Sequence, residues 1–168
     1  MKLRIVLALG ILIAGSLFAG VGGAEAAEAA GEYSKHFGTL SKLSIAVAQA
    51  MPAEKYRFRP HPESMTFEEL MPHIATTNYQ FCAGLKDSKP PVLPTPTEKD
   101  ETSDSFAYCG TVIPSLTEQQ ISKAHNSPDG RLSRREVLLA MYVHVAHHRG
   151  QAEIYLRVNG IRPPNYMV

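Results

Sequence analysis

Three of the seven histidines in the chain, His144, His147 and His148, fall within the run HVAHHRGQAEIYL. On a helix His144 and His148 stand about 40° apart around the axis, a spacing at which two imidazoles reach one metal ion from a single helix. A lone core-facing histidine is ordinarily a hydrogen-bonded structural residue. Two on one apolar stripe are harder to satisfy without a shared partner. A metal site needs at least a third ligand, normally from another helix, and His36, His61, His73 and His125 are the candidates.

The element that must carry the pair is fully punctuated. Ser133 suits an N-cap, Glu136 closes a capping box with it, and Leu132 can staple onto Val137. Gly160 suits the left-handed position after the last turn, Ile161 can cover Leu156, and Pro163-Pro164 forbid continuation. The helix is expected from about Arg134 to Val158. Its core face holds Val137, Met141, His144, Val145, His148, Ala152 and Tyr155, with His147 toward the edge. Arg149, Glu153 and Arg157 fall on the opposite, solvated side. Gln151 lies near His144 on the wheel and a turn below His148, where it could orient a ligand or a water. His147 reads as a rim residue or hydrogen-bond partner of a ligand, and in the sharper reading as a general base.

Three further helices are expected to complete an all-α, four-helix bundle. The first runs from Glu32 to Met51, with Phe37, Leu40, Ser44, Val47, Ala48 and Met51 at helical spacing. The second opens on the capping box Thr66 to Glu69 and carries the stripe Phe67, Leu70, Ile74, Asn78, Phe81 and Leu85. His73 lies on its flank, beside Pro72, which removes a hydrogen bond and tends to bend the axis. The third starts near Ser103 and stops near Pro114, followed by a short helical turn in LTEQQISKAH. The Pro-rich run KDSKPPVLPTPTEKDE is the clearest linker. His36 and His125 are expected at the surface.

Residues 1–26 read as a secretory signal peptide: Lys2 and Arg4, an apolar run from Ile5 to Val21, then Ala24-Glu25-Ala26 as a small-x-small cleavage site. The mature chain, residues 27–168, is long enough for one domain with a real core, and is expected to be exported to a periplasmic or extracellular compartment with no stable membrane insertion after cleavage. Cys82 and Cys109 are then the only two thiols in an oxidising compartment, and a disulfide between the second and third helices is expected. The net charge of +1 and the absence of a basic block exclude a nucleic-acid partner.

The runs YRFRPHPESMTFEELMPHIATTNYQFC and HVAHHRGQAEIYLRVNGIRPP together resemble the DinB-like (DinB/YfiT) group of metal-binding proteins over essentially the whole mature chain. The resemblance implies a four-helix bundle with a long crossover connection. It also implies a divalent metal ion, zinc or nickel, held by His73, His144 and His148. Three imidazoles with an open position are the makeup of a catalytic rather than a closed structural site. A small-molecule substrate is therefore expected, handled by a thiol-dependent transferase or a hydrolase. The other class is a non-catalytic metal-binding bundle for storage, sensing or partner binding. The resemblance also makes a homodimer an expectation.

Overall fold

The computed structural model describes residues 21–91, 98–127 and 130–166, with backbone alone for residues 21–30, 98–100, 125 and 127. Most of the expected leader lies outside these residues. Four long helices, α1 (Val21–Ala50), α2 (Phe67–Leu85), α3 (Glu98–Val112) and α5 (Arg134–Val158), stand in a ring. In it α1 packs on α5 and α3, and α2 packs on the same two, so α1 and α2 face each other across the diagonal. The short α4 (Glu118–Ser122) and the hairpin of β1 (Ala124–Ser127) and β2 (Gly130–Ser133) fill the connection from α3 to α5. Phe67, Leu70, Met71, Ile74, Phe106, Leu138, Met141 and Leu156 are buried at the centre.

The two helices that matter for the histidines begin and end as their sequences dictate. Thr66 and Glu69 form both halves of a capping box at α2, and Ser133 and Glu136 do the same at α5, each satisfying two amides that the first turn leaves without partners. The amide of Ile161 donates to Leu156 O at 2.9 Å and that of Gly160 to Arg157 O at 3.0 Å, with Gly160 at φ 73°, which is the Schellman arrangement. α2 continues through Pro72 to Leu85, so the proline does not end it or delay its start.

The diagonal step from α1 to α2 is the long crossover, and residues 51–66 make it. Tyr56 donates to Ala48 O at 3.2 Å and packs on Phe67 at 5.1 Å, while Phe58 meets the edge of Tyr155 at 6.2 Å. The Tyr155 hydroxyl donates to Met65 O at 2.6 Å, and the amides of Phe67 and Glu68 donate back to Phe58 and Tyr56 at 3.0 and 2.9 Å. The crossover is thereby stitched to the start of α2 and to α5. The Pro-rich linker, by contrast, joins the neighbours α2 and α3.

Several elements differ from expectation. α1 is already helical over residues 21–31, ahead of the expected Glu32, because GGAEAAEAAG has good helix formers and no apolar stripe, and periodicity registers only the stripe. α3 likewise already includes Glu98, inside the stretch read as linker. The hairpin was not expected: β1 and β2 pair Ala124 with Ser133 through Ser127 with Gly130, and neither strand alternates apolar with polar residues. Arg149 and Glu153, assigned to the solvated side, have side chains only 12% and 17% exposed and pair at 2.7 Å. The tail after Pro164 lies on them, with the Arg149 guanidinium 5.5 Å from the Tyr166 ring, a contact no single-helix wheel contains.

Two cross-links hold α2 in place. Cys82 and Cys109 form a disulfide between α2 and α3, with Cα atoms 5.6 Å apart and a sequence separation of 27, a loop for which chain entropy gives about 3–4 kcal/mol. At the other side, Arg134, only 3% exposed, donates to Leu85 O at 2.9 Å and pairs with Asp87, which also accepts from Lys123 at 2.9 Å. Asp87 sits at φ 52°, a left-handed conformation that Asp tolerates better than most residues. The end of α2 is thus clamped to the start of α5. Replacing Gly160 by Val should lower stability by about 1–2 kcal/mol, since a β-branched residue is strained at positive φ. Nothing lies within 4 Å of an added Cβ there, so the cost is conformational, and an unchanged urea midpoint would show that Gly160 does not set the end of α5.

Candidate metal centre

His73 comes from the second turn of α2, immediately after Pro72, while His144 and His148 come from successive turns of α5. α2 and α5 are neighbours, and the three rings meet in the seam between them. His73 Nε2 is 3.1 Å from His144 Nε2 and 3.1 Å from His148 Nε2, and a ligating nitrogen from each lies within 4.8 Å of the other two. This is the only such group among the described residues. All three rings are half-buried, so the seam is the rim of the core rather than its centre. Phe81 closes one side, its ring 6.1 Å from His144.

Neutral imidazoles arranged in this way are short of protons. His148 Nδ1–H donates to Gln151 Oε1 at 2.7 Å, which leaves His148 Nε2 with a lone pair aimed at His73. At most one N–H, from His73 or His144, then remains for the two contacts. One cation at the centre satisfies all three nitrogens. Two ligands bound at ~2.05 Å with a tetrahedral angle are about 3.3 Å apart, close to the edges described above, so the donor set fits a divalent ion of zinc size. His144 Nδ1 is buried without a hydrogen-bond partner, whereas His148 has Gln151. The tautomer of His148 is therefore fixed by its neighbour.

The electrostatics favour neutral rings. Burial, and then the neighbouring His148, His73 and His147, push His144 down to about 4 from the ordinary 6.5. Burial also lowers His148, with the Gln151 hydrogen bond opposing it. Ligation requires unprotonated nitrogen, so these shifts keep donors available below the pH at which free histidine charges.

The other histidines stand apart. His36 and His61 are exposed, and His61 Nδ1 accepts from the Glu63 amide at 3.2 Å. His125 belongs to β1, where it pairs with Leu132. His147, the candidate base, is exposed and its Nε2 accepts from Gln151 Nε2 at 3.1 Å. Gln151 thus bridges His147 and His148, a connection visible in sequence only as a shared helical face. Beside His73 a cleft of about 590 Å³ opens to solvent, lined by Glu63, Ser64, Met65, Glu69, Pro72 and Thr76. Sequence reasoning assigned none of these a place at the site, because Glu63, Ser64 and Met65 come from the crossover, which has no period to read. The Glu69 carboxylate is committed to the Thr66 cap, which lowers its pKa.

Fold and site together define a class: a ring of long helices with an open cluster of three histidines in the seam between two of them. The sequence profile of the DinB superfamily matches residues 37–152, and the chain belongs to that family. It is 27% identical over 134 residues to the uncharacterized protein YjoA of Bacillus subtilis (strain 168), an alignment spanning 74% of this chain and 87% of YjoA. The fold resembles the crystal structure of the DinB-like YjoA at a TM-score of 0.74 and 23% identity, covering 81% of this chain and 98% of that one. A DinB-like protein from Bacillus cereus ATCC 10987 matches at 0.66 and 16% identity, over 80% and 95% of the two chains. A conserved protein from Enterococcus faecalis matches at 0.60 and 18%, over 76% and 95%.

The site has its own acid dependence. A group whose pKa is lower folded than unfolded contributes stability above its unfolded value and loses it as pH falls through the folded value. For His144 that window runs from about 6.5 down to about 4, and for Asp87, held down to about 2 by hydrogen bonds from Arg134 and then Lys123, from about 3.8 to 2. The melting temperature of chelator-treated protein should fall in two stages as pH drops through these windows. His144→Phe should shrink the upper stage to the share that His148 contributes and leave the lower one unchanged, and a variant with an undiminished upper stage would move the titration to another residue.

Proposed function

We propose that the chain is an exported metalloprotein in which His73, His144 and His148 hold one divalent ion, zinc or nickel, and that it acts on a small molecule by metal-dependent hydrolysis. The observation that carries this is the pair of 3.1 Å contacts that join three ring nitrogens with at most one shared proton between them. Three protein nitrogens leave coordination positions open, and an ion held there supplies Lewis-acid activation to whatever occupies them.

The residues around the cluster have separable tasks. Gln151 orients the His148 ring and keeps its proton on the side away from the cluster. His147 anchors Gln151 from the other end. Ser64 and Thr76 offer hydroxyls, and Glu63 a carboxylate, to a substrate approaching through the cleft beside His73. Export, as read from residues 1–26, separates the protein from the cytosolic thiol pool, which favours hydrolysis over thiol transfer.

Metal content and affinity of alanine variants at each of the seven histidines test the ligand set. His73→Ala, His144→Ala and His148→Ala should each lose affinity by orders of magnitude, while His36→Ala, His61→Ala and His125→Ala should match the parent. Gln151→Ala should weaken binding by about 10–100-fold and His147→Ala by less, the scale typical of groups that orient a ligand. A His147→Ala protein that loses the ion while His73→Ala keeps it would overturn the assignment. A screen of ester and amide substrates with and without added thiol then separates hydrolysis from thiol transfer. A metal-loaded protein inert in every arm would place the chain with storage or sensing bundles.

A further inference from the structure

We infer that the tail after Gly160 folds back on α5 to build a binding site for a small organic dianion, a phosphate or phosphonate group carried on an apolar body. The site lies on a different flank of α5 from the three clustered histidines, where that helix meets the tail and α1. Arg149, Arg157 and Arg162 line a cavity of about 390 Å³ there, and Glu153 is the only acidic side chain among the described residues of its wall. The Glu153 carboxylate already accepts from Arg149 at 2.7 Å and from Arg157 at 3.4 Å. Three guanidiniums against one carboxylate leave an excess of two positive charges, which a dianion cancels and a monoanion does not.

Each guanidinium keeps donors for such a ligand. Arg162 bonds Asn165 at 3.4 Å and has no acidic partner among the described residues. Arg157 is half-exposed and reaches Glu153 through Nη1 alone, so most of its five N–H groups are left over. Arg149, only 12% exposed, gives Nη1 to Glu153, while its Nε is buried without a hydrogen-bond partner and its guanidinium lies 5.5 Å from the Tyr166 ring. Keeping a cation this deep with an unmet donor is unfavourable, and an anion in the adjoining cavity offsets it. The walls are also set in advance. Pro163 and Pro164 restrict the backbone that carries Arg162 and Tyr166, so little order has to be gained on binding.

The apolar body follows from a second cavity, of about 220 Å³, that shares Arg149 and Tyr166 with the first. Leu40 and Leu43 of α1 and Tyr142 and Ala146 of α5 line it. A ligand whose anionic group meets the arginines therefore lays a ring or a short carbon chain past Arg149 into the seam. Apolar walls with a few convergent charged groups are the ordinary makeup of a small-molecule site.

Isothermal titration calorimetry of the metal-loaded full chain with phenylphosphonate, inorganic phosphate and benzyl alcohol tests the site. Phenylphosphonate should bind once per chain with a dissociation constant on the order of 0.1–1 mM, inorganic phosphate about tenfold more weakly, and benzyl alcohol not measurably. Arg157→Gln and Arg162→Gln, both at exposed positions, should each weaken phenylphosphonate by about tenfold, with metal content and helical circular dichroism unchanged. Ala146→Leu should fill the apolar cavity and bring phenylphosphonate down to the affinity of inorganic phosphate. Binding that survives both arginine replacements and disappears in His73→Ala would put the anion on the metal ion and overturn the inference. So would the absence of binding at about 10 mM phenylphosphonate, or equal affinity for inorganic phosphate in the parent.

Discussion

Three imidazoles held edge to edge in a half-buried seam are an electrostatic conflict that the rest of the molecule is arranged around. Each neutral ring brings one proton and one lone pair, and His148 has already spent its proton on Gln151. Protonating His144 is a costly remedy, since burial and then the neighbouring histidines drive it down to about 4. A divalent cation removes the conflict at a stroke. Without one, the neighbouring structure has to hold the rings together against it.

That neighbouring structure is a set of restraints on α2 relative to α5. The clamp of Arg134 on Leu85 and Asp87 fixes the end of α2 to the start of α5, and Tyr155 fixes the crossover beside the start of α2 to the far end of α5. Cys82 and Cys109 tie the last turn of α2 to α3. His73 lies between these restraints. A shift of one residue along either helix would rotate a ring by about 100° and take it out of the cluster. The long crossover, which looks like slack in the sequence, is on this account a positioning device.

How much of this could be read in advance varied with the range of the interaction. Both ends of α5 and the start of α2 were legible, because Ser133, Glu136, Thr66, Glu69 and Gly160 act within one turn. The pairing of His144 with His148 was legible for the same reason, as a spacing on one helix. The meeting with His73 was not contained in any spacing, since it depends on two helices far apart in sequence, and only family resemblance pointed to it. Arg149 and Glu153 were misplaced because the tail around Tyr166 covers a face that faces water on an isolated helix. The clamp at Asp87 was missed because its partners, Arg134 and Lys123, lie far away in sequence and no local spacing connects them to the end of α2. The hairpin and the helical residues of α3 ahead of Ser103 escaped because neither has the apolar period that marks a strand or a helix in sequence.

The central claim is that one ion is shared by three ring nitrogens, and X-ray absorption spectroscopy at the metal edge of the loaded protein tests it most directly. The account predicts three imidazole nitrogens at ~2.0–2.1 Å, with the outer-shell scattering of intact rings and the remaining positions filled by oxygen. A first shell with sulfur, or with fewer than three imidazoles, would contradict it.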